Sequence, residues 1–291
     1  MYFESRGCRL HYRRWWVEHA LGVVVIAHGL GEHSGRYRQL ARQLNQIGYS
    51  VYALDHYGHG QSPGRRGDID DFASYSSDFC QFVQLVQREN PERPVHLLGH
   101  SMGAVVVAGS VLRGRETGWV EGQRIESLIL SAPGFQGAAE PGKWELKLLS
   151  VLHRLVPKLT LPNRLNPDWV CRDPAVVKAY LEDDLVHNRI SLRWFTSFLR
   201  QRALVLQSAA SIQTPCLMLL PEGDRLVDPE VSRDWFEQLG SRSRRLCSFP
   251  NAYHEVFNEP GVSEQAWAAL SAHLSSFSRS ERHPFLQRLS G

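Results

Sequence analysis

Short, continuous apolar runs alternate along this chain with longer stretches of helical periodicity. The runs are Val23-Val24-Val25-Ile26-Ala27, Ser50-Val51-Tyr52-Ala53-Leu54, Val95-His96-Leu97-Leu98, Ser127-Leu128-Ile129-Leu130 and Cys216-Leu217-Met218-Leu219-Leu220. Runs of this length without polar alternation fit parallel strands covered on both faces. Helical patterns near 35–47, 71–89, 102–115, 229–239 and 263–277 follow or separate them. Strand-helix alternation of this kind predicts an α/β fold with an open, mostly parallel sheet. The opening segment is different: 2–5 and 10–16 flank Arg6-Gly7-Cys8, which predicts an antiparallel hairpin at one sheet edge.

The alternation stops after Ser131-Ala132-Pro133-Gly134. From 135 to 208 the patterns are helical and amphipathic, over 143–155, 174–185 and 191–208, with no convincing strand. Pro157, Pro162 and Pro167 punctuate the first connection. A helical insertion in such a sheet usually lies over the strand C-termini, where ligands bind. The expected organisation is therefore one catalytic core, 1–134 and 209–291, with a helical cap at 135–208.

Composition narrows the classes without choosing among them. With 43% hydrophobic and 22% charged residues, a packed core is expected and global disorder is not. The net charge of +3 is too small to argue for a nucleic-acid partner; Arg242-Ser243-Arg244-Arg245 reads as a solvated turn. Five scattered cysteines, with no C-x-x-C pair, argue against a disulfide framework and for a reducing compartment. The first residues include Glu4 and no apolar stretch, so no signal peptide is read. The longest apolar runs are far shorter than a membrane span. A soluble, cytoplasmic protein is the expectation, with transient membrane-surface contact left open.

The chemistry begins where 95–98 runs into Gly99-His100-Ser101-Met102-Gly103 and then a helical pattern. A serine on a sharp strand-to-helix turn projects its hydroxyl clear of the sheet, and small residues two before and two after let strand and helix approach. The helix N-terminus favours negative charge developing there. A serine that merely caps the helix is the bland alternative. Upstream, the strand 23–27 ends in His28-Gly29-Leu30-Gly31-Glu32, a glycine-bearing turn able to offer backbone N–H groups to an oxyanion. The amides of Leu30 and Met102 are the expected donors. In such folds the acid and the histidine follow the nucleophile in order. Asp224 lies just past the strand 216–220; Asp228 precedes Pro229 and a helix, so capping is its expected role, and Glu222 is a weaker candidate. His254 follows the last strand, 246–249, whereas His273 and His283 come too late. Ser101, Asp224 and His254 are thus the expected nucleophile, acid and base. His28, His33, His56, His59, His96 and His100 complete no metal first shell, and 254–258 lacks the second histidine of a zinc-protease helix. They are expected to be hydrogen-bonded residues around a pocket mouth. No cofactor or metal is expected.

Three tracts, 28–37, 55–62 and 99–103, together with 223–228 and the Tyr253-His254 pair, resemble the monoacylglycerol lipase and lysophospholipase branch of the α/β-hydrolases. The likeness runs through nearly the whole chain and is weakest across 135–208. It implies hydrolysis of a carboxylic ester with a long acyl chain, through an acyl-serine intermediate, with a lipid ester as the binding partner. It also implies a cap whose apolar faces line an acyl tunnel and touch membranes; Leu148, Leu149, Leu152, Leu155 and Val156 fit that role or simply pack the cap on the core. Gly29, Glu32 and Arg36 are the substrate-binding candidates, the last two at polar positions near the alcohol end, although an ion pair between them is an equal reading. Ala104 replaces a further glycine often found after the elbow. Phe257 stands where some monoacylglycerol lipases carry histidine, which leaves room for an alcohol other than glycerol. Short-chain carboxylesterase, amide hydrolase and acyl transferase activities use the same triad; a non-catalytic binding protein is expected to lack one of its members.

Overall fold

The computed structural model describes residues 1–116, 125–138 and 140–280; His283 lies outside them. Among these residues, eight strands form one sheet: β1 (Tyr2–Ser5), β2 (Cys8–Trp15), β3 (Gly22–Ala27), β4 (Tyr49–Leu54), β5 (Val95–His100), β6 (Ile125–Ser131), β9 (Cys216–Pro221) and β10 (Arg244–Phe249), the two between them, β7 (Thr160–Pro162) and β8 (Arg189–Ser191), lying outside it. Their order across the sheet is β1-β2-β4-β3-β5-β6-β9-β10. β1 and β2 run antiparallel to each other, β2 runs antiparallel to β4, and every other pairing is parallel. The sheet is α/β with an antiparallel N-terminal edge, as the patterning requires. Arg244 and Arg245, expected in a turn, are the first two residues of β10.

The apolar runs lack alternation because both faces of each strand are covered. In β3, Val23, Val25 and Ala27 enter one core, and Val24 and Ile26 enter the other. Helices α2 (Ala73–Glu89), α3 (Met102–Glu116) and α7 (Pro229–Glu237) close the first, with Phe79, Val83, Val105 and Trp235 fully buried. Helices α1 (Arg38–Gln46) and α8 (Ser263–Ser280) close the second through Leu40, Leu44, Ala266, Leu270 and Leu274. β3 has β4 on one side and β5 on the other, so the chain order reverses there. A crevice opens at the carboxyl ends of strands at such a switch point.

Residues 140–208 stand apart from the sheet. They form α4 (Lys143–Leu155), α5 (Pro174–Leu181) and α6 (Leu192–Gln207), and also the short antiparallel pair β7 (Thr160–Pro162) with β8 (Arg189–Ser191). These two strands correct the expectation of an all-helical stretch; three-residue strands are too short for periodicity to reveal. α6 buries Trp194 and Val205 in the first core, with Trp194 edge-on to Phe72 at 5.6 Å. The segment fastens to loops at the strand C-termini: His187 N–H donates to Gly31 O (2.8 Å), Ser191 N–H to Gly67 O (2.8 Å), and Val170 O accepts from Glu255 N–H (2.8 Å). None of the described side chains of α4 is buried. Trp144, Leu148, Val151 and Leu155, spaced for one helical face, are 70%, 50%, 53% and 72% exposed. Of the apolar positions singled out from the sequence, Leu148, Leu155 and Val156 are exposed, and Leu149 and Leu152 are partly covered.

Candidate active site

Ser101 sits between β5 and α3 with φ of +53°, in the left-handed region that costs a non-glycine residue about 1–3 kcal/mol. The surroundings hold it there. Its N–H donates to Ser131 O (3.0 Å), and its carbonyl accepts from Ala104 N–H (3.0 Å) and Gly134 N–H (2.9 Å). The elbow tolerates no side chain at position 103, where a Cβ would stand 2.0 Å from Ala27 O. Gly103 therefore lets α3 lie directly against the end of β3. On the facing turn a Cβ at Gly29 would come within 3.2 Å of the Ser101 Cβ. The turn after β3 thus packs on the serine itself.

Leu30 belongs to that turn, and Met102 opens α3, whose first-turn N–H groups have no partner within the helix. The Gly29 N–H is already donated to Glu32 Oε1 (2.6 Å), so it is not free for a ligand.

Asp224 and His254 come from the loops after β9 and β10, and the His254 ring centroid lies 4.7 Å from that of His100, the residue before Ser101. His254 Nδ1 lies 2.6 Å from Asp224 Oδ2. A carboxylate only accepts, so Nδ1 carries the proton and Nε2 is left basic. The other Asp224 oxygen accepts from the N–H groups of Leu226 (2.8 Å) and Val227 (3.2 Å), which fixes the carboxylate. Burial disfavours a charged His254 ring, but the charge and hydrogen bond of Asp224, with Glu255 and Glu32, outweigh it and raise the pKa above the ordinary value. His100 goes the other way: burial and His254 hold it down to about 4. The carboxylates expected to be secondary are engaged elsewhere. Asp228 caps α7 by accepting from Glu230 N–H (2.9 Å), with Pro229 at the first helical position, and Glu222 pairs with Arg233 (2.6 Å).

A serine on a left-handed elbow, an Asp-bound histidine and a glycine turn packed on the serine form an arrangement that sequence families can test. The family model described as serine aminopeptidase, S33, matches residues 18–261.

The chain belongs to this family of α/β-hydrolases.

Its relatives include a monoacylglycerol lipase of Mycolicibacterium smegmatis, 34% identical over 87% of this chain and 89% of the relative. Phospholipase YtpA of Bacillus subtilis is 30% identical over 84% of this chain and 92% of its own. The solved monoacylglycerol lipase of Paleococcus ferrophilus superposes with a TM-score of 0.80 at 33% identity, covering 92% of this chain and 98% of that one.

In this hydrolase Glu32 and Arg36 form the ion pair that the sequence offers beside a substrate-binding role. Arg36 Nη1 donates to Glu32 Oε2 (2.9 Å) and Glu255 Oε1 (2.5 Å), and Nη2 to Glu255 Oε2 (3.1 Å). Tyr37 Oη donates to Glu32 Oε1 (2.7 Å). Glu32 is buried, which alone favours the neutral acid, yet Arg36, His100, His28 and the Tyr37 hydroxyl bring its pKa down to about 2. Sequence reasoning does not single out Glu255 or Tyr37. Their only signals are adjacency, Glu255 to His254 and Tyr37 to Arg36.

The remaining histidines bear out one half of the expectation and correct the other. His28, His33, His59, His96 and His100 each make a ring hydrogen bond, whereas neither ring nitrogen of His56 has a partner; all six are buried rather than open at a mouth. Burial, first of all, lowers the pKa of His28, His56, His59 and His96. The tract 55–62 has a structural use as well. The Asp55 carboxylate accepts from Ser34 N–H (2.7 Å) and Gln61 N–H (2.8 Å) and meets His11 Nδ1 at 2.9 Å, tying the loops after β3 and β4 to β2. Among the described residues no group of His, Cys, Asp and Glu is arranged to hold a metal ion.

Proposed function

We propose that this chain hydrolyses carboxylic esters of lipids, a monoacylglycerol or a lysophospholipid, with Ser101, His254 and Asp224 as nucleophile, base and acid. The observation that carries the reading is the Asp224–His254 pair at 2.6 Å, its histidine ring against that of His100, the residue before a serine held at positive φ. Ser101 Oγ attacks the acyl carbon while His254 Nε2 takes its proton; the tetrahedral oxyanion is held by the N–H groups of Leu30 and Met102. Collapse releases the alcohol, which takes the proton from His254, and leaves the acyl group on Ser101. Water, deprotonated by His254, then frees the fatty acid and restores the serine. Asp224 keeps the imidazole in the useful tautomer and stabilises its charged form.

Two things favour a lipid ester. Relatives across most of the chain are a monoacylglycerol lipase and a phospholipase, and the exposed face of α4 offers apolar surface that water does not reward. We read 135–208 as a cap, and the α4 face as the part that rests transiently on a lipid surface. No helix of the described residues is long and apolar enough to cross a membrane. The deciding experiment is a hydrolysis panel of long-chain monoacylglycerols, lysophospholipids, p-nitrophenyl esters of graded length and an aminopeptidase substrate. Highest kcat/KM on a long-chain lipid ester is expected; preference for short esters or for the peptide amide overturns the lipid reading.

A further inference from the structure

The residue after the catalytic-site histidine is buried, charged and bonded to three other parts of the molecule. The Glu255 carboxylate receives both terminal nitrogens of Arg36, at 2.5 and 3.1 Å, and the side-chain amide of Asn258 at 2.8 Å. The same guanidinium donates to Glu32, whose second oxygen holds the Gly29 N–H in the turn packed against Ser101. Arg36 also lies 4.8 Å from the centroid of Tyr180 on α5. The backbone joins in: Glu255 N–H donates to Val170 O, Cys171 Sγ–H to Asn258 O (3.2 Å), and Arg172 N–H to the buried Glu259 (3.0 Å), whose carboxylate also takes the Arg172 side chain. One guanidinium thus joins the histidine loop, the turn that carries Leu30, and α5.

We propose that Glu255 is a positioning residue that, through Arg36 and Glu32, sets the His254 loop in register with the Gly29–Leu30 turn. This rests on the triad reading given above. The reasoning is geometric. A bidentate carboxylate–guanidinium contact fixes orientation as well as distance. Base and oxyanion donors lie on different loops and must meet one tetrahedral carbon, and small misplacement there is costly, about a hundredfold per ångström. A merely structural salt bridge needs neither the place beside His254 nor the shared partner with the oxyanion turn. The charge has a second consequence. The charged and titratable groups around His254 are Asp224 from the loop after β9, Glu32 and Arg36 from the segment after β3, His100 at the end of β5 and Glu255 on its own loop, with Arg36 offsetting part of the charge of the two glutamates it bonds. His100 is neutral at working pH, so three carboxylates favour the imidazolium, and Glu255 is one of them.

The test is steady-state kinetics from pH 5 to 9 on Glu255→Gln, Glu255→Asp and His254→Ala, with thermal unfolding in parallel. Glu255→Gln is expected to lower kcat about tenfold or more, leave KM near its original value, and move the acid limb of kcat/KM to lower pH. Glu255→Asp keeps the charge but shortens the reach, so kcat falls while the acid limb stays. Should the glutamine variant not fold, the aspartate variant alone carries the test. A folded variant with lowered Tm but unchanged kcat and acid limb overturns the proposal and leaves a structural salt bridge. Undiminished hydrolysis by His254→Ala overturns the triad reading instead, so the two failures are distinguishable.

Discussion

The elbow at Ser101 and helix α4 solve opposite problems. Around the elbow the backbone and the acid are held: Ser101 exchanges backbone hydrogen bonds with Ser131, Ala104 and Gly134, and both Asp224 oxygens are occupied. Gly103 brings α3 closer to the end of β3 than any side chain allows, and Gly29 packs its turn tightly against Ser101. On α4, four large apolar side chains share one face and stay largely exposed. Strain and order are concentrated at the serine elbow, and uncovered apolar surface on α4. The first region is pre-organised by the fold, since the charges that develop in the reaction need groups already in place. The second is left uncovered by the fold, and under the proposed function a lipid surface covers it.

The sharpest way to break this contrast is to exchange the two aspartates that follow β9. Asp224→Asn should lower kcat about 10⁴-fold, because an amide can present the wrong group to Nδ1 and invert the tautomer. Asp228→Asn, in contrast, should leave kcat within about twofold, since asparagine caps a helix nearly as well. Steady-state kinetics on both variants checks this. A larger loss for the Asp228 variant reverses their roles.

The second test falls on α4. Replacing Trp144, Leu148 and Leu155 together by serine should leave hydrolysis of a soluble p-nitrophenyl ester near its original rate. Binding to zwitterionic lipid vesicles should weaken about a hundredfold, in line with roughly 1 kcal/mol for each side chain only partly transferred from water. Vesicle sedimentation read against soluble-ester kinetics separates the two effects. Equal loss in both would mean that the face packs within the protein.

The same contrast governs how much of the molecule is legible in its sequence. The buried strands announce themselves because both faces are covered, so Val24 and Ile26 are apolar for one core and Val23 and Val25 for the other. The elbow is legible because its geometry demands particular residues at 99, 101 and 103. Asp224 and His254 are legible from their place after strands, whereas nothing local marks Glu255 as a partner of Arg36, 219 positions away. Long-range ion pairs leave no period in a sequence. The β7–β8 pair escapes for a related reason: three residues per strand leave no pattern, and its pairing joins Thr160 to Ser191. The exposed face of α4 carries the same amphipathic pattern as a buried one, so periodicity finds the helix but not its surroundings. The histidines escape too. Their number suggests a polar pocket mouth, whereas His56 is fully buried with neither ring nitrogen bonded.

Any one of those histidines yields the smallest expected effect, and its pKa is shifted in the direction opposite to that of His254. Burial holds His28, His56, His59 and His96 below the ordinary histidine pKa. Below that ordinary value the unfolded chain binds protons that the folded one does not, so stability should fall as pH drops. Each such histidine contributes up to about 1.4 kcal/mol per pH unit until its folded pKa is reached. Chemical denaturation at pH 7 and pH 5 measures it, and His56→Asn should flatten the dependence by up to that amount per unit. His254, with its raised pKa, behaves differently: its neutral form is the base, so kcat/KM should rise with pH and reach half its maximum above the ordinary histidine value.

The most direct measurement is the site of covalent capture by a fluorophosphonate, read by peptide mass spectrometry alongside hydrolysis of a long-chain monoacylglycerol. An activated serine on the elbow predicts one phosphonylated residue, Ser101, loss of hydrolysis in step with labelling, and neither label nor turnover in Ser101→Ala. Labelling at another residue, or a Ser101→Ala variant that still turns over at the original rate, would contradict the account.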